Sequence, residues 1–153
     1  MAMNFANILN DKLEDVKRPP NVPVGTYRVS VKAIPEIVER KNFEILEFQL
    51  QLVEAQEDVD QEDLKNYGGL GPTARVRRAF MFNTEDDAAF KRTEFDLRRF
   101  LEDHLKCATP DMAMKEAINA SMGAQCLAFI NWRQDGQDPE VQHNNVARTA
   151  PLA

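Results

Sequence analysis

The chain carries only two cysteines, Cys107 and Cys126, and they lie far apart. They form no metal-ligand pattern, which points to a reduced cytosolic protein rather than a disulfide-stapled one. No apolar run approaches the ~18 residues that span a bilayer, so no membrane partner is expected. Residues 1–16 lack a basic start and a long apolar segment, so no signal peptide is expected there. An excess of basic charge is missing too. Lys and Arg number 19 against 25 Asp and Glu, for a net charge of -6. That argues against a generally basic nucleic-acid binder, but a local groove matters more than the sum. No internal repeat or low-complexity tract occurs.

The signatures of catalysis are equally thin. No His, Cys and carboxylate set is spaced as metal ligands, and no serine or cysteine has a recognisable activating partner. The turn Tyr67-Gly68-Gly69-Leu70-Gly71-Pro72 lacks the lysine and hydroxyl of a phosphate loop. The acidic run over residues 54–63 matches no calcium loop and reads as a solvated surface loop. His104 reads as an exposed or capping histidine, and His143 sits near Asn144 and Asn145 on the last strand. No catalytic residue, metal or cofactor is assigned, and the chain is not expected to be an enzyme.

What the chain does contain is alternation. In residues 25–34, Tyr27, Val29, Val31 and Ala33 fall on one face and Arg28, Ser30 and Lys32 on the other, the period of a half-buried strand. Pro19, Pro20 and Pro23 precede it and Pro35 stops it. Residues 36–42 are polar and read as a loop carrying Arg40 and Lys41. Residues 43–55 form a second strand, with Leu46, Phe48, Leu50 and Leu52 opposite Glu47, Gln49 and Gln51; its length suits a curved sheet or barrel. Residues 73–83 form a third strand, with Val76, Arg78, Phe80 and Phe82 on one face and Arg75, Arg77, Ala79 and Met81 on the other. A helix capped by Thr93 or Asp96 runs to about Lys106, and another runs from Pro110 to Gly123. Residues 125–133 and 141–148 supply strands four and five across the turn at Asp135-Gly136-Gln137-Asp138-Pro139. Before all of this, Phe5, Ile8, Leu9, Leu13 and Val16 recur at helical spacing.

This order predicts a mainly β domain over residues 22–150, preceded by an N-terminal helical arm over residues 1–18. The expected architecture is a five-stranded OB-fold barrel with a helical insert between strands three and four; an antiparallel sandwich is the rival. Phe5, Ile8 and Leu9 are expected to bury against the barrel or a second subunit, so a homo-oligomer is among the expected partners.

The opening Pro23-Val24-Gly25-Thr26-Tyr27 resembles the proline-glycine-tyrosine opening of a group of bacteriophage single-stranded DNA-binding and recombination-associated proteins of OB fold. The resemblance extends to the long second strand, to Phe100-Leu101-Glu102-Asp103-His104-Leu105, and to His143-Asn144-Asn145-Val146 with Arg148, covering roughly residues 22–148. It implies a sequence-tolerant single-stranded DNA-binding protein of phage replication or recombination, located in the cytoplasm of an infected bacterial host. The alternative is a non-enzymatic phage structural or assembly protein, which would reside in the virion and use Met3, Phe5, Ile8 and Leu9 as a docking arm.

A single strand is held by positive charge and by flat surfaces on which bases stack. The cation candidates are Arg28, Lys32, Arg40, Lys41, Arg75, Arg77 and Arg133. Arg28, Lys32, Arg75 and Arg77 form one stripe if strands one and three are neighbours; an ordinary charged outer face is the other reading. Phe48, Phe80 and Phe82 fall at core positions. Phe43, beside Arg40 and Lys41, and Trp132, beside Arg133, are the stacking candidates. Met81 is an apolar residue on the basic face, able to meet a base, a sugar or a partner subunit.

Overall fold

Thirteen alternating residues, Phe43–Ala55, form the strand on which the sheet is assembled. The computed structural model describes residues 5–15, 20–72, 74–138 and 141–152. In chain order the elements are β1 (Gly25–Val31), β2 (Glu36–Arg40), β3 (Phe43–Ala55), α1 (Gln61–Tyr67), β4 (Arg75–Asn83), α2 (Asp87–Arg99) with a π-helical turn Phe100–His104, α3 (Met114–Ala120), β5 (Gln125–Gln134) and β6 (Gln142–Ala150). All pairings are antiparallel. One edge of β3 is shared, with β2 along residues 43–47 and β1 along residues 50–55; β4 takes the other edge along residues 43–51. On its far side β1 pairs β5, and β5 pairs β6.

The ladders therefore run β4, β3, β1, β5, β6. β6 comes alongside β4, but among the described residues no ladder joins them, so the sheet is not closed into a barrel. Among the described residues the result is a mainly β fold of six antiparallel strands and three helices.

Several expectations need correction. Residues 36–40 are a strand, β2, not a loop; the turn Lys41-Asn42 connects it to β3, with Asn42 at φ 69. The acidic run is not merely a solvated loop. Asp60 caps α1 by accepting from the Asp63 N–H, and Gly68 closes the helix in the left-handed region at φ 103. A helix thus stands between β3 and β4 as well as between β4 and β5. The insert also starts earlier than expected, because Asp86 rather than Thr93 or Asp96 caps α2, accepting from Ala88 and Ala89. The N-terminal arm differs as well. It holds two 3-10 turns, Phe5–Ile8 and Leu13–Asp15, and Phe5, Ile8 and Leu9 are exposed rather than packed on the sheet. Met3 and Val16, and the linker residues Lys17, Arg18 and Pro19, lie outside the described residues.

The concave side of the sheet holds the core. Tyr27, Val29, Val31, Leu46, Phe48, Leu50, Leu52, Cys126, Ala128 and Ile130 are buried there, each large aliphatic contributing ~1.5–3 kcal/mol. Phe48, Phe80 and Phe100 pack edge-on or tilted with ring centroids 5.1–5.8 Å apart, which fastens the π-helical turn against the sheet. Ala33, expected at a core position, is exposed past the end of β1.

The residues opening β1 form a clasp. A Cβ on Gly25, whose φ is +150, would meet the Val59 side chain at 2.5 Å, so only glycine lets that loop close. Asp58 accepts from the Thr26 N–H at 2.9 Å and from its hydroxyl at 2.8 Å. Partial burial pushes the Asp58 pKa up, but these hydrogen bonds outweigh it and hold the carboxyl below its usual value. The buried Tyr27 hydroxyl donates to the Pro23 carbonyl at 2.7 Å, and burial raises its pKa to about 12. The proline-glycine-threonine-tyrosine opening is thus the hinge of the fold's first strand and carries the 56–60 loop.

Candidate nucleic-acid interface

The convex side of the sheet is where the candidate residues must meet. Register across β2, β3 and β4 sets its rows. Arg40 pairs Phe43, which pairs Asn83; Val38 pairs Ile45, which pairs Met81; Glu36 pairs Glu47, which pairs Ala79. Further along, the Lys32 N–H donates to the Gln49 carbonyl, and Gln49 pairs Arg77. In the next row Ser30 pairs Gln51, which pairs Arg75. Strand pleating puts all these residues on one face.

The structure puts Lys32, Arg40, Phe43, Arg75, Arg77 and Met81 on one face, with Lys41 in the turn at its end. β1 and β4 are not neighbours, however. β3 lies between them, so the expected four-cation stripe is two lines of cations with Gln49 and Gln51 in the middle. Strands pack ≈ 4.7–4.9 Å apart, so the two lines stand ~10 Å apart. Shallow hollows follow this centre. One of about 440 Å3 is bounded by Ser30, Lys32, Gln51, Gln125 and the Leu70–Pro72 turn. A second, of about 270 Å3, is bounded by Ile34, Glu36, Val38, Glu47 and Gln49.

The face has the opposite sign to the chain. By register Lys32, Arg40, Arg75 and Arg77 stand against Glu36 and Glu47, an excess of two positive charges on a protein of net charge -6. Arg77 is 3.6 Å from Glu47. Among the described residues Lys32, Arg40, Lys41 and Arg75 have no ion-pair partner. An exposed pair such as Arg77–Glu47 contributes about 0–1 kcal/mol, so an incoming anion displaces it at little cost. At the β2–β3 turn the face becomes apolar. Phe43 and Ile45 are half-buried and Met81 is 51% exposed. Val38 and Ile45 escaped the sequence reading because residues 36–40 read as a loop; β2 pairing is what adds them.

Arg28 shares the parity of this face but is committed elsewhere. It donates to Gln125 Oε1 at 2.9 Å and pairs with Glu54 at 3.4 Å. Trp132 and Arg133 do not join the face. Trp132 continues the parity of Cys126, Ala128 and Ile130, but past the end of the core, over the residues that precede β1. Its indole N–H donates to the Val22 carbonyl at 2.6 Å. The ring borders a hollow with Pro20, Pro23, Asp63 and Tyr67, beside acidic helix α1. Arg133 projects at the β5–β6 hairpin opposite His143. That hairpin carries a further basic and aromatic contact, the Arg148 guanidinium 4.6 Å over the Phe129 ring.

Several titratable groups elsewhere have structural partners. His104 Nδ1 is 2.7 Å from Thr149 Oγ1, tying the π-helical turn to β6; burial and then Arg99 lower its pKa. It is a half-buried bridge rather than an exposed or capping residue. His143 Nε2 is 2.6 Å from Asp135 Oδ2. That hydrogen bond, with the N–H groups of Gln137 and Asp138, holds the Asp135 carboxyl at about 2. Arg78, at a core-facing position, lies 4.2 Å from the Phe80 ring centroid, and desolvation lowers its pKa. Among the described residues no three His, Cys, Asp or Glu side chains are grouped to hold a metal ion, and no helix is long and apolar enough to cross a membrane. No protein-family model matches the chain, and no curated protein matches it.

Proposed function

We propose that this protein binds single-stranded DNA without regard to sequence, on the convex face of β2, β3 and β4, and performs no catalysis. The observation that carries the reading is the local excess of two positive charges beside Phe43, Ile45 and Met81, on a chain of net charge -6. Lys32 on one side and Arg75 and Arg77 on the other, ~10 Å apart, flank a path along β3 for a nucleic-acid backbone. Phe43 offers a flat ring at the turn end, and base stacking on an aromatic contributes ~1–3 kcal/mol. The acidic run starts at the opposite end of β3, where Glu54 pairs Arg28. A phosphate chain entering at the β2–β3 turn meets Arg40, then crosses the Glu36–Glu47 row, where Arg77 lies 3.6 Å from Glu47, before it reaches Lys32 and Arg75.

The ladder order β4, β3, β1, β5, β6 supports reading the sheet as an OB-type barrel left open between β4 and β6, with β2 added at the edge. In that fold the faces of the second and third barrel strands bind oligonucleotides; here those strands are β3 and β4. Together with the resemblance of the β1 opening, this supports a role in phage DNA replication or recombination, in the cytoplasm of an infected host. The exposed arm residues Phe5, Ile8, Leu9 and Leu13 favour a second reading, an assembly protein of the virion that needs no nucleic acid.

A titration of fluorescent poly-dT at several salt concentrations tests the first reading. Binding should weaken with salt. Arg75→Ala/Arg77→Ala should lower the log–log slope by about 1.4, given ~0.7 per phosphate contact on single strands. No binding by the wild type at micromolar protein and low salt would leave the assembly reading in its place.

A further inference from the structure

Strand β2 has an open edge, and its sequence is complementary to itself across that edge. Hydrogen bonding along β3 alternates between its two neighbours. The Thr84 N–H donates to the Asn42 carbonyl and the Leu52 N–H to the Ala74 carbonyl, so even-numbered residues of β3 bond β4. Odd-numbered residues bond β2 and β1, as the Lys32 N–H on the Gln49 carbonyl confirms. Glu36, Val38 and Arg40 pair Glu47, Ile45 and Phe43, so their main-chain groups point at β3. The N–H and C=O groups of Ile37 and Glu39 point the other way, and among the described residues they meet no partner.

The place beside them in the sheet is vacant. β1 and β2 follow one another along the same edge of β3. β5 covers the outer edge of β1 as far as Ser30, with Ala124 and Gly123 bonded to Val31, and goes no further. The chain reaches β5 from α3, which faces Ile37 across a hollow of about 200 Å3 and adds no ladder to β2. β2 is therefore an overhang, with Ile37 64% exposed. An edge of this kind is a template for another strand.

We infer that the strand added there is β2 of a second copy, antiparallel and centred on Val38, so that the sheets of two copies join across a two-fold axis. In that register Ile37 of each copy stands opposite Glu39 of the other, and every outward main-chain group of the two residues is bonded. Charge selects the same register. It sets Glu36 of each copy opposite Arg40 of the other, with Val38 opposite Val38 at the axis. Neither Glu36 nor Arg40 has an ion-pair partner among the described residues. Opposite charges directly across an antiparallel pair stabilise it and like charges destabilise it. Sliding by two residues either places Glu39 against Pro35, which has no N–H, or sets Glu39 against Glu39. On the concave face Ile37 meets Ile37 of the other copy on the diagonal, ~7–8 Å away. The pairing engages one cation and one carboxylate of each convex face, so the excess of two positive charges is unchanged. It stands independently of nucleic-acid binding.

The test is the mass of the full chain by light scattering, without nucleic acid, from about 1 μM to about 1 mM, a range that covers a small interface. The wild type should rise to twice the 17.4 kDa of one chain. Glu39→Pro removes an N–H that faces away from β3, where an edge strand tolerates proline, and should leave a folded monomer. Glu36→Arg and Arg40→Glu each set like charges opposite one another twice in the dimer, and each should raise its Kd about tenfold. Mixed one to one, these two variants should form a heterodimer about as tight as the wild-type dimer, because each then meets its opposite charge. Variants weakened by misfolding would not recover on mixing. Circular dichroism checks the fold of Glu39→Pro; if it misfolds, the charge variants and their mixture decide alone. A wild type that stays monomeric over the whole range, a folded Glu39→Pro protein that still dimerises, or a mixture no tighter than its two parts would each overturn the pairing. A dimer unmoved by the charge substitutions would also overturn it, and would assign the mass to another surface, such as the exposed arm.

Discussion

Replacing Trp132 separates a structural role from a binding one. The indole N–H is the partner of the Val22 carbonyl at 2.6 Å, and Val22 is itself buried. Trp132→Phe keeps a ring but removes the donor. It leaves a buried carbonyl unsatisfied, which costs about 1–3 kcal/mol. Trp132→Ala also removes the ring, of which 46% is exposed. A fully buried aromatic hides 150–250 Å2, so roughly 100 Å2 of contact is lost, worth about 2.5 kcal/mol at ~25 cal/mol per Å2. The expected losses are therefore about 1–3 kcal/mol for Trp132→Phe and about 4–5 kcal/mol for Trp132→Ala, read as midpoint shifts in urea with unchanged slope. Poly-dT affinity of the folded Trp132→Phe protein should match the wild type. Wild-type stability in both variants, together with lost binding in Trp132→Ala, would refute this reasoning and return Trp132 to the binding surface.

Other consequences follow from the titratable groups and the clasp. Folding raises the Tyr27 pKa from 10.0 to about 12, chiefly by burial. Stability should be unaffected below pH 10 and fall as the unfolded chain ionises, by up to about 3 kcal/mol near and above pH 12; in Tyr27→Phe this alkaline fall should be absent in urea titrations. Folding lowers the Asp135 pKa to about 2, with the His143 hydrogen bond the first cause. The stabilisation is present above about pH 4 and lost as pH falls through about 2. Carbon-13 titration of the Asp135 carboxyl should give that midpoint in the wild type and a higher one in His143→Ala; equal midpoints would remove His143 as the cause. Gly25→Ala should lose several kcal/mol, since the added carbon meets Val59 at 2.5 Å and the φ of +150 disfavours any side chain; thermal melting within a degree of the wild type would contradict the clasp.

The strands that bury one face were legible in the chain. β1, β3, β4 and β5 alternate because a core lies on one side of each, and β3 keeps both predicted ends, Phe43 and Ala55. β2 was not legible. As an overhang it buries neither face, so Glu36, Glu39 and Arg40 hide the alternation of Ile37 and Val38. α1 was missed because a seven-residue helix brings only Leu64 and Tyr67 to the core; its real signals were the Asp60 cap and the left-handed Gly68. For the arm, spacing alone predicted burial, yet Phe5, Ile8 and Leu9 are exposed. At the site, alternation gives each residue a face and says nothing about which strands adjoin, so β3 between β1 and β4 could not be read. The phase of β5 groups Trp132 with Cys126, Ala128 and Ile130, and only its neighbour Arg133 links it to a basic surface. Its hydrogen bond to Val22, 110 positions away, depends on tertiary structure alone.

The central claim is the location of binding, and amide chemical-shift mapping with a dT oligomer at low salt tests it most directly. The largest changes should fall on Arg40 to Ile45, on Gln49 and Gln51, and on Arg75, Arg77 and Met81, with Lys32 at the margin and the Trp132 indole N–H undisturbed. Changes centred on Trp132, Tyr67 and the residues preceding β1, or no changes at saturating oligomer, would contradict the account.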